Sequence, residues 1–428
     1  MHHMLRRLPQ GSRYLKLNQP SWLSLRRSCS TAMVETTTRP FLEEEKSSSY
    51  DPESYYPARI GEIIHNKYRL ISKLGWGTGS TVWLAGIVSR WPWKNQRYVA
   101  LKITNCSPAV QTAARKEIEI SKHVCSMWTT HPGQQYVRKK LDSFEVESSG
   151  RTHLCMALEP LRQPLWMLGR QTSPSGLIQP HILKALLPGI LECLDFLHTE
   201  CHVIHTDLKG DHFMLPFEDL TVLNDYVREQ EAHPAPFEER RGRPVYHSRP
   251  DFGRLRKGVG FVKLTDFGLS VRGDASRKYY HDIQPLEYTA PEVMLQAGWS
   301  YSADIWNLGL VLWELLGETN LLDGRSPENY NFSYLTRFAQ MIRLLGPPPA
   351  SILAQADEEV YSRLYNNQGV FRYPDLIPSE AFNFSRKTTF LDGEEKALFI
   401  QFARRMLTWA PEERATAREL LDDPWLQA

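Results

Sequence analysis

The most informative segment of the chain reads His205-Thr206-Asp207-Leu208-Lys209-Gly210-Asp211-His212, and three apolar residues follow it. Val203 and Ile204 before it predict a short buried strand, so the charged residues should lie on a loop at a strand end. A carboxylate held in such a loop can accept a proton, and a nearby lysine can contact an anionic group. A solvated surface loop would show the same short pattern. The significance of this segment therefore depends on the rest of the chain.

Length and charge restrict the class of protein. The chain has 428 residues, which is too long for one ordinary core, so we expect two or three packed units. Its 51 basic and 49 acidic residues nearly balance and create no field that would attract nucleic acid or a membrane. The longest strongly apolar run, 308–316, is interrupted by Glu314 and is too short to cross a bilayer. We therefore expect a soluble monomer that binds neither nucleic acid directly nor a membrane.

The cysteines and the N-terminus bear on localisation. Six cysteines are scattered without a C-x-x-C pair, as is typical of reduced thiols in a cytosol-like compartment. Residues 1–60 differ from the rest, because six basic residues precede Glu35, the first acidic residue. A disordered basic tail with a polar linker and a mitochondrial transit peptide both fit this pattern. We exclude residues 1–60 from the fold prediction and expect the protein in the cytoplasm and nucleus, with the mitochondrion as the alternative.

A glycine-rich run follows soon after Tyr68, where the alternation typical of β-strands begins. The run reads Leu74-Gly75-Trp76-Gly77-Thr78-Gly79-Ser80-Thr81-Val82. Glycines allow a backbone to close over phosphate groups, so that amide N–H groups reach the negative oxygens. A simple turn is the alternative, but the apolar Val82 is placed to reach the face of a nucleotide base. The run is therefore a candidate nucleotide-binding loop.

Two apolar strands carry further candidate residues. The strand at 98–103 places Lys102 between apolar neighbours. A lone lysine on a strand is ordinarily solvated, but this one follows the glycine-rich run at the spacing expected for a phosphate contact. The strand at 154–158 is continuously apolar and leads into the bend Glu159-Pro160-Leu161, where backbone groups could meet a nucleotide base. Both strands are therefore predicted to border the nucleotide site.

Two helices are predicted around these strands. The first begins with Ser and Pro residues at its N-terminus and covers about 108–123. Glu117 in its middle is the predicted ion-pair partner of Lys102, and Glu119, which points to a different face, is the alternative. The second helix, at 180–200, is long and apolar, and we interpret it as a core element.

The segment after the first loop contains an insert and a second acidic motif. Residues 216–260 are polar and proline-rich with little periodicity, so we expect this insert to be largely irregular. The strand at 261–265 then ends in Asp266-Phe267-Gly268. A carboxylate at a strand end suits Mg²⁺, which prefers hard oxygen ligands. Asp266 is therefore a candidate metal ligand.

Taken in order, these motifs resemble those of the eukaryotic protein kinases over about residues 68–426. The later triplet Ala290-Pro291-Glu292 also matches that family's pattern. The resemblance implies the α+β, two-lobed protein-kinase fold. The small N-lobe, 61–160, would be β-rich with one regulatory helix, and the larger C-lobe, 161–428, would be mostly α-helical and carry the insert. It also implies ATP and Mg²⁺ as cofactors, and a protein substrate with a Ser or Thr hydroxyl.

The resemblance implies a role for each motif residue. Asp207 would be the catalytic base, Lys209 would contact phosphate, and Lys102, held by Glu117, would contact ATP. Asp266 would bind Mg²⁺. Further ATP-binding residues are predicted in the glycine-rich run, the lysine strand and the bend, namely Leu74, Gly75, Trp76, Gly77, Thr78, Gly79, Ser80, Val82, Ala100, Glu159 and Leu161. Three residues would have structural roles: Asp304 on the catalytic-loop backbone, and the buried pair Glu292 and Arg414.

Within the protein kinases, the chain looks most like the serine/arginine-rich splicing-factor kinases. Ser80 stands in place of a third loop glycine, Thr206 stands in place of an arginine, and the insert at 216–260 separates two motifs. That family phosphorylates serines in Arg/Ser-rich proteins, which implies a role in mRNA processing. The helix expected at 333–345 should help to form the groove for basic substrates, but it contains two arginines and no acid. The Arg/Ser preference therefore stays open.

His212 separates two alternatives for activity, because it stands where the family has a metal-binding Asn. Imidazole nitrogen is a poorer Mg²⁺ ligand than an amide oxygen, so His212 is a weaker candidate metal ligand than Asp266. Losing one charge-stabilising contact costs about 10²–10³ in rate, which slows an enzyme without abolishing its activity. We expect an active serine/threonine protein kinase, with a low-activity pseudokinase or scaffold as the alternative.

Overall fold

The structure, a computed structural model, describes residues 43–47, 50–88, 97–240, 242–258, 260–274, 276–326 and 330–427. Its N-terminal part is an antiparallel six-stranded sheet with the strand order β1-β2-β3-β4-β6-β5. The strands are β1 Ile63–Ile64, β2 Tyr68–Gly77, β3 Ser80–Ile87, β4 Tyr98–Thr104, β5 Lys140–Ser148 and β6 Arg151–Leu158. Helix α1, Pro108–Ser126, follows β4 and packs against β4, β5 and β6.

The sequence of α1 explains both its start and its buried face. Proline fits the first helical position, because its missing N–H would have no partner within the helix. The buried side chains recur at helical spacing and face the sheet: Ala114, Glu117, Ile120, Ser121 and Val124. Glu117 is the one carboxylate among them, and a buried carboxylate needs a charged or hydrogen-bonding partner. The helix extends three residues beyond its predicted end near His123.

The C-terminal part is mostly helical and is built around α6, which is buried on nearly all sides. Its helices are α2 Leu168–Thr172, α3 Pro180–Asp195, α4 Leu220–Ala232, α5 Pro291–Met294, α6 Ser302–Leu316, α7 Tyr334–Leu345, α8 Ala350–Leu353, α9 Glu358–Leu364, α10 Phe384–Lys387, α11 Gly393–Met406, α12 Ala417–Leu421 and α13 Pro424–Gln427. The predicted α+β, two-lobed architecture is confirmed. Within the described ranges, no helix combines the length and apolar character needed to cross a bilayer.

Short two-stranded ribbons position the loops between the lobes. They pair β7 Val203–Ile204 with β12 Val271–Arg272, β8 Phe213–Met214 with β11 Lys263–Leu264, and β9 Phe237–Arg240 with β10 Arg243–Tyr246. The first two ribbons bring the catalytic loop, between β7 and β8, next to the Asp-Phe-Gly triplet, between β11 and β12. Residues about 60 positions apart in the sequence therefore meet at one site.

The expectation that the insert is largely irregular is wrong for much of its length, because 216–260 contains α4 and the β9–β10 hairpin. The buried face of α4 includes Leu223 and Tyr226, which pack with Ile71 of β2 and Leu84 of β3. The Tyr226 hydroxyl also lies 2.9 Å from the Ser72 hydroxyl. The polar and proline-rich flanks obscured the short apolar stripe in the sequence. The insert covers one face of the N-lobe sheet.

A buried ion pair fastens the insert to the segment that joins the lobes. Arg162, just after β6, is fully buried and donates to both carboxylate oxygens of Glu218 at 2.6 and 2.8 Å. It also donates to the Gly253 carbonyl at 2.5 Å. The two ends of the insert therefore converge on one guanidinium group, which donates through Nη1 to Glu218 and through Nη2 to the Gly253 carbonyl.

Part of the excluded N-terminal segment also packs on the N-lobe, which corrects the expectation for residues 43–47 and 50–60. Glu44 is fully buried; it accepts a hydrogen bond from Lys73 of β2, and one of 2.6 Å from Arg243 of β10. Lys73 also donates to the Tyr246 carbonyl at 3.1 Å. The ion pair depends on residues far apart in sequence, so local patterns gave no sign of it. Residues 1–42 lie outside the described residues, and their targeting role stays a prediction.

We expect Glu44→Ala to lower the free energy of unfolding by about 3–5 kcal/mol, because it leaves Lys73 and Arg243 buried without their counter-charge. Urea unfolding of the purified full-length protein measures this. Glu145→Ala is the matched control, since it removes an exposed ion pair with Arg115 and should cost less than about 1 kcal/mol. Equal effects of the two substitutions would contradict the assignment of Glu44 as a buried anchor.

Candidate active site

The glycine-rich run forms the tight turn between β2 and β3, where Gly77 pairs with Ser80. The Tyr55 hydroxyl donates to the Thr78 carbonyl at 2.9 Å and fixes the tip of the turn. A Cβ atom at Gly79 would approach the side chain of Val110 on α1 to 2.8 Å, so glycine allows a close contact between loop and helix. The predicted loop is thus present, and it packs closely against α1.

An apolar cluster lies beneath this loop. Ala100, Met156 and Leu158 are buried together, and Leu74 and Val82 pack against them. These side chains come from four neighbouring strands of the N-lobe sheet. An apolar surface of this kind suits the face of a nucleotide base. The structure therefore brings together the predicted residues Leu74, Val82 and Ala100.

The predicted ion pair between Lys102 and Glu117 is present. Lys102 Nζ lies 2.8 Å from both carboxylate oxygens of Glu117 and 3.9 Å from Asp266 Oδ1. Burial disfavours the ammonium ion, but Asp266 and Glu117 outweigh it and raise the pKa of Lys102 above its usual range. Glu119 is exposed, which excludes the alternative partner. The lysine is thus held as a cation at the cleft.

Asp304 of α6 fixes the catalytic loop through its backbone. Its carboxylate accepts hydrogen bonds from His205 N at 2.7 Å and Thr206 N at 2.8 Å. Thr206 has a φ of 67°, in the left-handed region that a threonine rarely adopts. Lys209 Nζ lies 2.9 Å from Asp207 Oδ2. The loop therefore presents its acid and its lysine side by side, as the resemblance implied.

His212 and Asp266 face each other across the same cleft. His212 Nδ1 lies 2.8 Å from the Asp207 carbonyl, and His212 Nε2 lies 3.6 Å from Asp266 Oδ2. Burial raises the pKa of Asp266, but the ammonium groups of Lys102 and Lys209 oppose it, and that pKa lies well below its usual range. Asp266 is thus an ionised oxygen donor that fits a hard divalent cation, whereas His212 offers nitrogen.

The bend after β6 places Glu159 and Leu161 at the back of the cleft. The Glu159 carbonyl accepts a hydrogen bond of 2.9 Å from Arg138 Nε, and one lone pair remains for a ligand. The Glu159 carboxylate pairs with Lys263 at 2.9 Å. Leu161 is buried, and among the described residues its backbone enters no backbone hydrogen bond. Both predicted backbone positions are therefore compatible with a bound base.

Sequence reasoning missed Arg138 and Glu314. Arg138 lies behind the site and donates to Thr265 Oγ1 at 3.3 Å, and burial lowers its pKa to about 10. No motif marked it. Glu314 accepts a hydrogen bond of 2.8 Å from Gly210 N in the catalytic loop. The position of Glu314 inside the apolar run 308–316 could have predicted such a contact, because carboxylates in apolar surroundings are rare without a partner.

The predicted structural pair Glu292 and Arg414 is also present. Two parallel hydrogen bonds of 2.6 Å join the guanidinium group to the carboxylate, and both side chains are fully buried. Arg414 further donates to the Ser302 carbonyl at the start of α6 at 3.1 Å. The pair connects the Ala-Pro-Glu triplet to the helix that carries Asp304, so the segment before α5 and the catalytic loop share one support.

Comparisons with known proteins agree with this geometry. The model of the protein kinase domain family matches residues 68–426. A serine/threonine protein kinase of Aspergillus fumigatus is 36% identical over 391 residues, which cover 90% of this chain and 91% of that protein. The serine/threonine-protein kinase SRPK of Physarum polycephalum is 30% identical, with coverage of 90% and 91%. SRSF protein kinase 3 of Mus musculus is 31% identical, with coverage of 90% and 90%.

A solved kinase-domain crystal structure matches with a TM-score of 0.65 and 22% identity, covering 88% of this chain and all of that one, and supports the fold. The relatives extend along almost the whole chain, so the match is not limited to a few motifs. The chain therefore belongs to the protein kinase family as a serine/threonine protein kinase, a class of enzyme that uses ATP and a divalent metal.

Proposed function

We propose that this kinase transfers the γ-phosphate of ATP, bound with Mg²⁺, to serines that have arginine neighbours, as in Arg/Ser-rich proteins of mRNA processing. Similarity to the kinases named SRPK and SRSF protein kinase 3 supports this class of substrate. The observation that carries the proposal is a group of three carboxylates beside the catalytic loop. We call Asp211, Glu287 and Glu314 the acidic cluster.

Tyr288, the residue after Glu287, is buried and interacts electrostatically with all three carboxylates of the acidic cluster. Burial raises the pKa of Tyr288, and the negative charges of Glu314, Glu287 and Asp211 raise it further, well above its usual value. The hydrogen bond from Gly210 N to Glu314 attaches this cluster to the catalytic loop. An arginine next to the acceptor serine would therefore meet concentrated negative charge close to the reacting group.

Glu287 is the member of the cluster best suited to select arginine. Its Oε2 atom is buried and accepts no hydrogen bond from the described part of the chain. Burial raises the pKa of Glu287 above its usual value, and the positive charges of Arg325 and Arg337 offset this only in part. A guanidinium group that donates to this oxygen would supply the missing hydrogen bond and the opposite charge.

The arginines of α7 make hydrogen bonds within the C-lobe. Arg337 is fully buried and donates to the carbonyls of Leu322 at 2.8 Å and Thr289 at 3.1 Å. Arg343 donates through Nε to the Pro378 carbonyl at 2.6 Å. Both guanidinium groups are hydrogen-bonded within the lobe. Arg337 also interacts electrostatically with Glu287, so the reservation about a basic helix is weakened for Arg343 and stays for Arg337.

The residues of the cleft have complementary tasks in phosphoryl transfer. The glycine-rich run and Lys102 are placed to hold the ATP phosphates, and Asp207 is placed to orient the serine hydroxyl and accept its proton. Lys209, beside Asp207, adds positive charge where the transferred group would lie. A divalent metal held by Asp266 supplies neutralisation of the phosphate charge when bound. Catalysis would then rest on positioning and electrostatics.

We expect Asp207→Asn and Lys102→Met each to reduce the phosphotransfer rate by at least about 10²–10⁴, because they remove the base and a phosphate contact. Initial rates with radiolabelled ATP measure this, and melting temperatures check that each variant is folded. Asp375→Asn and Lys122→Met, both at exposed positions, are the matched controls. Near-normal turnover in either cleft variant would refute the catalytic role of the residue that was replaced.

Phosphorylation of the segment before α5 should not be required for activity. Thr206 carries no charge to receive a phosphate, and its hydroxyl instead donates to the Leu269 carbonyl at 2.9 Å. Tyr279 and Trp299 hold the segment through two backbone hydrogen bonds and ring stacking at 4.9 Å. Phosphatase treatment, verified by mass spectrometry, is expected to leave the rate largely unchanged relative to mock-treated enzyme. A large loss would show that a basic residue elsewhere receives a phosphate.

Glu287→Gln should lower kcat/KM about ten- to hundredfold for a serine peptide with arginine neighbours, since a charge-assisted hydrogen bond contributes about 1.5–3 kcal/mol. The same peptide with alanines in place of the arginines should be little affected by the substitution. Glu394→Gln, at an exposed position on α11, is the control. If both peptides lose activity equally, Glu287 does not determine substrate choice and the proposed arginine preference fails.

A further inference from the structure

His212 differs from the asparagine that its position in the motif predicts, and its hydrogen bonding determines which ring nitrogen faces the cleft. Nδ1 lies 2.8 Å from the Asp207 carbonyl oxygen. A carbonyl oxygen only accepts hydrogen bonds, so Nδ1 carries the hydrogen. In the neutral ring, Nε2 is then the atom with a free lone pair.

Nε2 points toward Asp266 and is placed as a ligand atom. It lies 3.6 Å from Asp266 Oδ2, beyond hydrogen-bond distance, and no described residue donates to it. The His212 side chain is only 9% exposed, so it is a buried polar group with its open nitrogen directed into the cleft. Metal ions bind imidazole nitrogen and carboxylate oxygen at about 2.0–2.2 Å, so one ion reaches donors up to about 4 Å apart.

The chemistry of this donor pair does not favour Mg²⁺. Mg²⁺ prefers oxygen ligands in near-octahedral geometry, whereas affinity for imidazole rises along the first-row transition metals from Mn²⁺ towards Cu²⁺. The hydrogen bond to Asp207 also fixes the ring orientation, as outer partners of metal-bound histidines commonly do. The replacement of an amide oxygen by imidazole nitrogen therefore changes which ion the position accepts.

We infer that His212 Nε2 and Asp266 Oδ2 form a site for a first-row transition metal of the Mn²⁺-to-Zn²⁺ class, next to the ATP phosphates and selective against Mg²⁺. The inference rests on the proposed binding of a metal–nucleotide complex at Asp266. It assigns His212 as a neutral nitrogen ligand, with its Nδ1 hydrogen retained on the Asp207 carbonyl. The enzyme would then combine a Mg²⁺ held by oxygen ligands with a second ion of a different kind.

Co²⁺ is a suitable probe, because its unpaired electrons shift the proton resonances of a coordinated imidazole. The full-length protein is first saturated with a non-hydrolysable ATP analogue and excess Mg²⁺, and analogue binding is measured by calorimetry. Co²⁺ is then titrated by calorimetry and by proton NMR. We expect one strongly shifted, exchangeable resonance from the Nδ1 hydrogen of His212.

His212→Asn should abolish this resonance and weaken Co²⁺ binding at least tenfold, since loss of even an outer partner of a ligand costs about 10–100-fold in affinity. His181→Asn, at an exposed position on α3, should change neither. Melting temperatures without metal test folding, and His212→Gln replaces His212→Asn if that variant unfolds.

Each outcome has a distinct meaning. Analogue binding with a His212-dependent resonance supports the inference. Analogue binding with equal Co²⁺ affinity in wild type and His212→Asn overturns the metal inference alone. Failure of the wild type to bind the analogue with any metal ion overturns the proposed nucleotide site, and the metal inference with it.

Discussion

Two hydrogen bonds to the buried carboxylate of Asp304 hold the catalytic loop in a shape that its own sequence disfavours. The N–H groups of His205 and Thr206 donate to this carboxylate at 2.7 and 2.8 Å. A left-handed threonine costs about 1–3 kcal/mol, and hydrogen bonds to a charged group contribute about 1.5–3 kcal/mol each, so the carboxylate outweighs the strain. Because α6 carries Asp304 inside the core, the position of Asp207 depends on the packing of the whole C-lobe.

The N-lobe side of the cleft is fixed by a second set of buried charges. Glu44 joins Lys73, one residue before the glycine-rich run, to Arg243 of the insert, and Arg162 joins both ends of the insert to the bend between the lobes. Such pairs hold their partners in place mainly because an unpaired buried charge is costly. The insert and residues 43–47 therefore pack against the N-lobe sheet, and they hold the strand that leads to the glycine-rich run.

Opposite charges lie next to one another within the cleft. Lys102 lies between Glu117 and Asp266, Lys209 pairs with Asp207, and burial would otherwise disfavour each charge. The phosphates of a bound ATP would add negative charge to this cleft, and a metal ion would neutralise part of that charge. In most positions the pattern matches what the family implies. The imidazole of His212 is the departure, and it brings a nitrogen donor to a place where an amide oxygen is expected.

The sequence by itself determined the family and the lobe order, and it located Lys102, Asp207 and Asp266 near the ends of the elements that bring them together, because these motifs are short and each lies close to the start or end of its element. It also determined the correct partners within the pairs Lys102–Glu117 and Glu292–Arg414, through their place in the motifs. Only the tertiary structure showed that the insert contains regular secondary structure and that Glu44 and Arg337 are buried. It also showed that Nδ1 of His212 is hydrogen-bonded, which leaves Nε2 facing the cleft. Each of these depends on contacts between residues distant in sequence, and no local pattern records whether a charged side chain faces solvent or a buried partner.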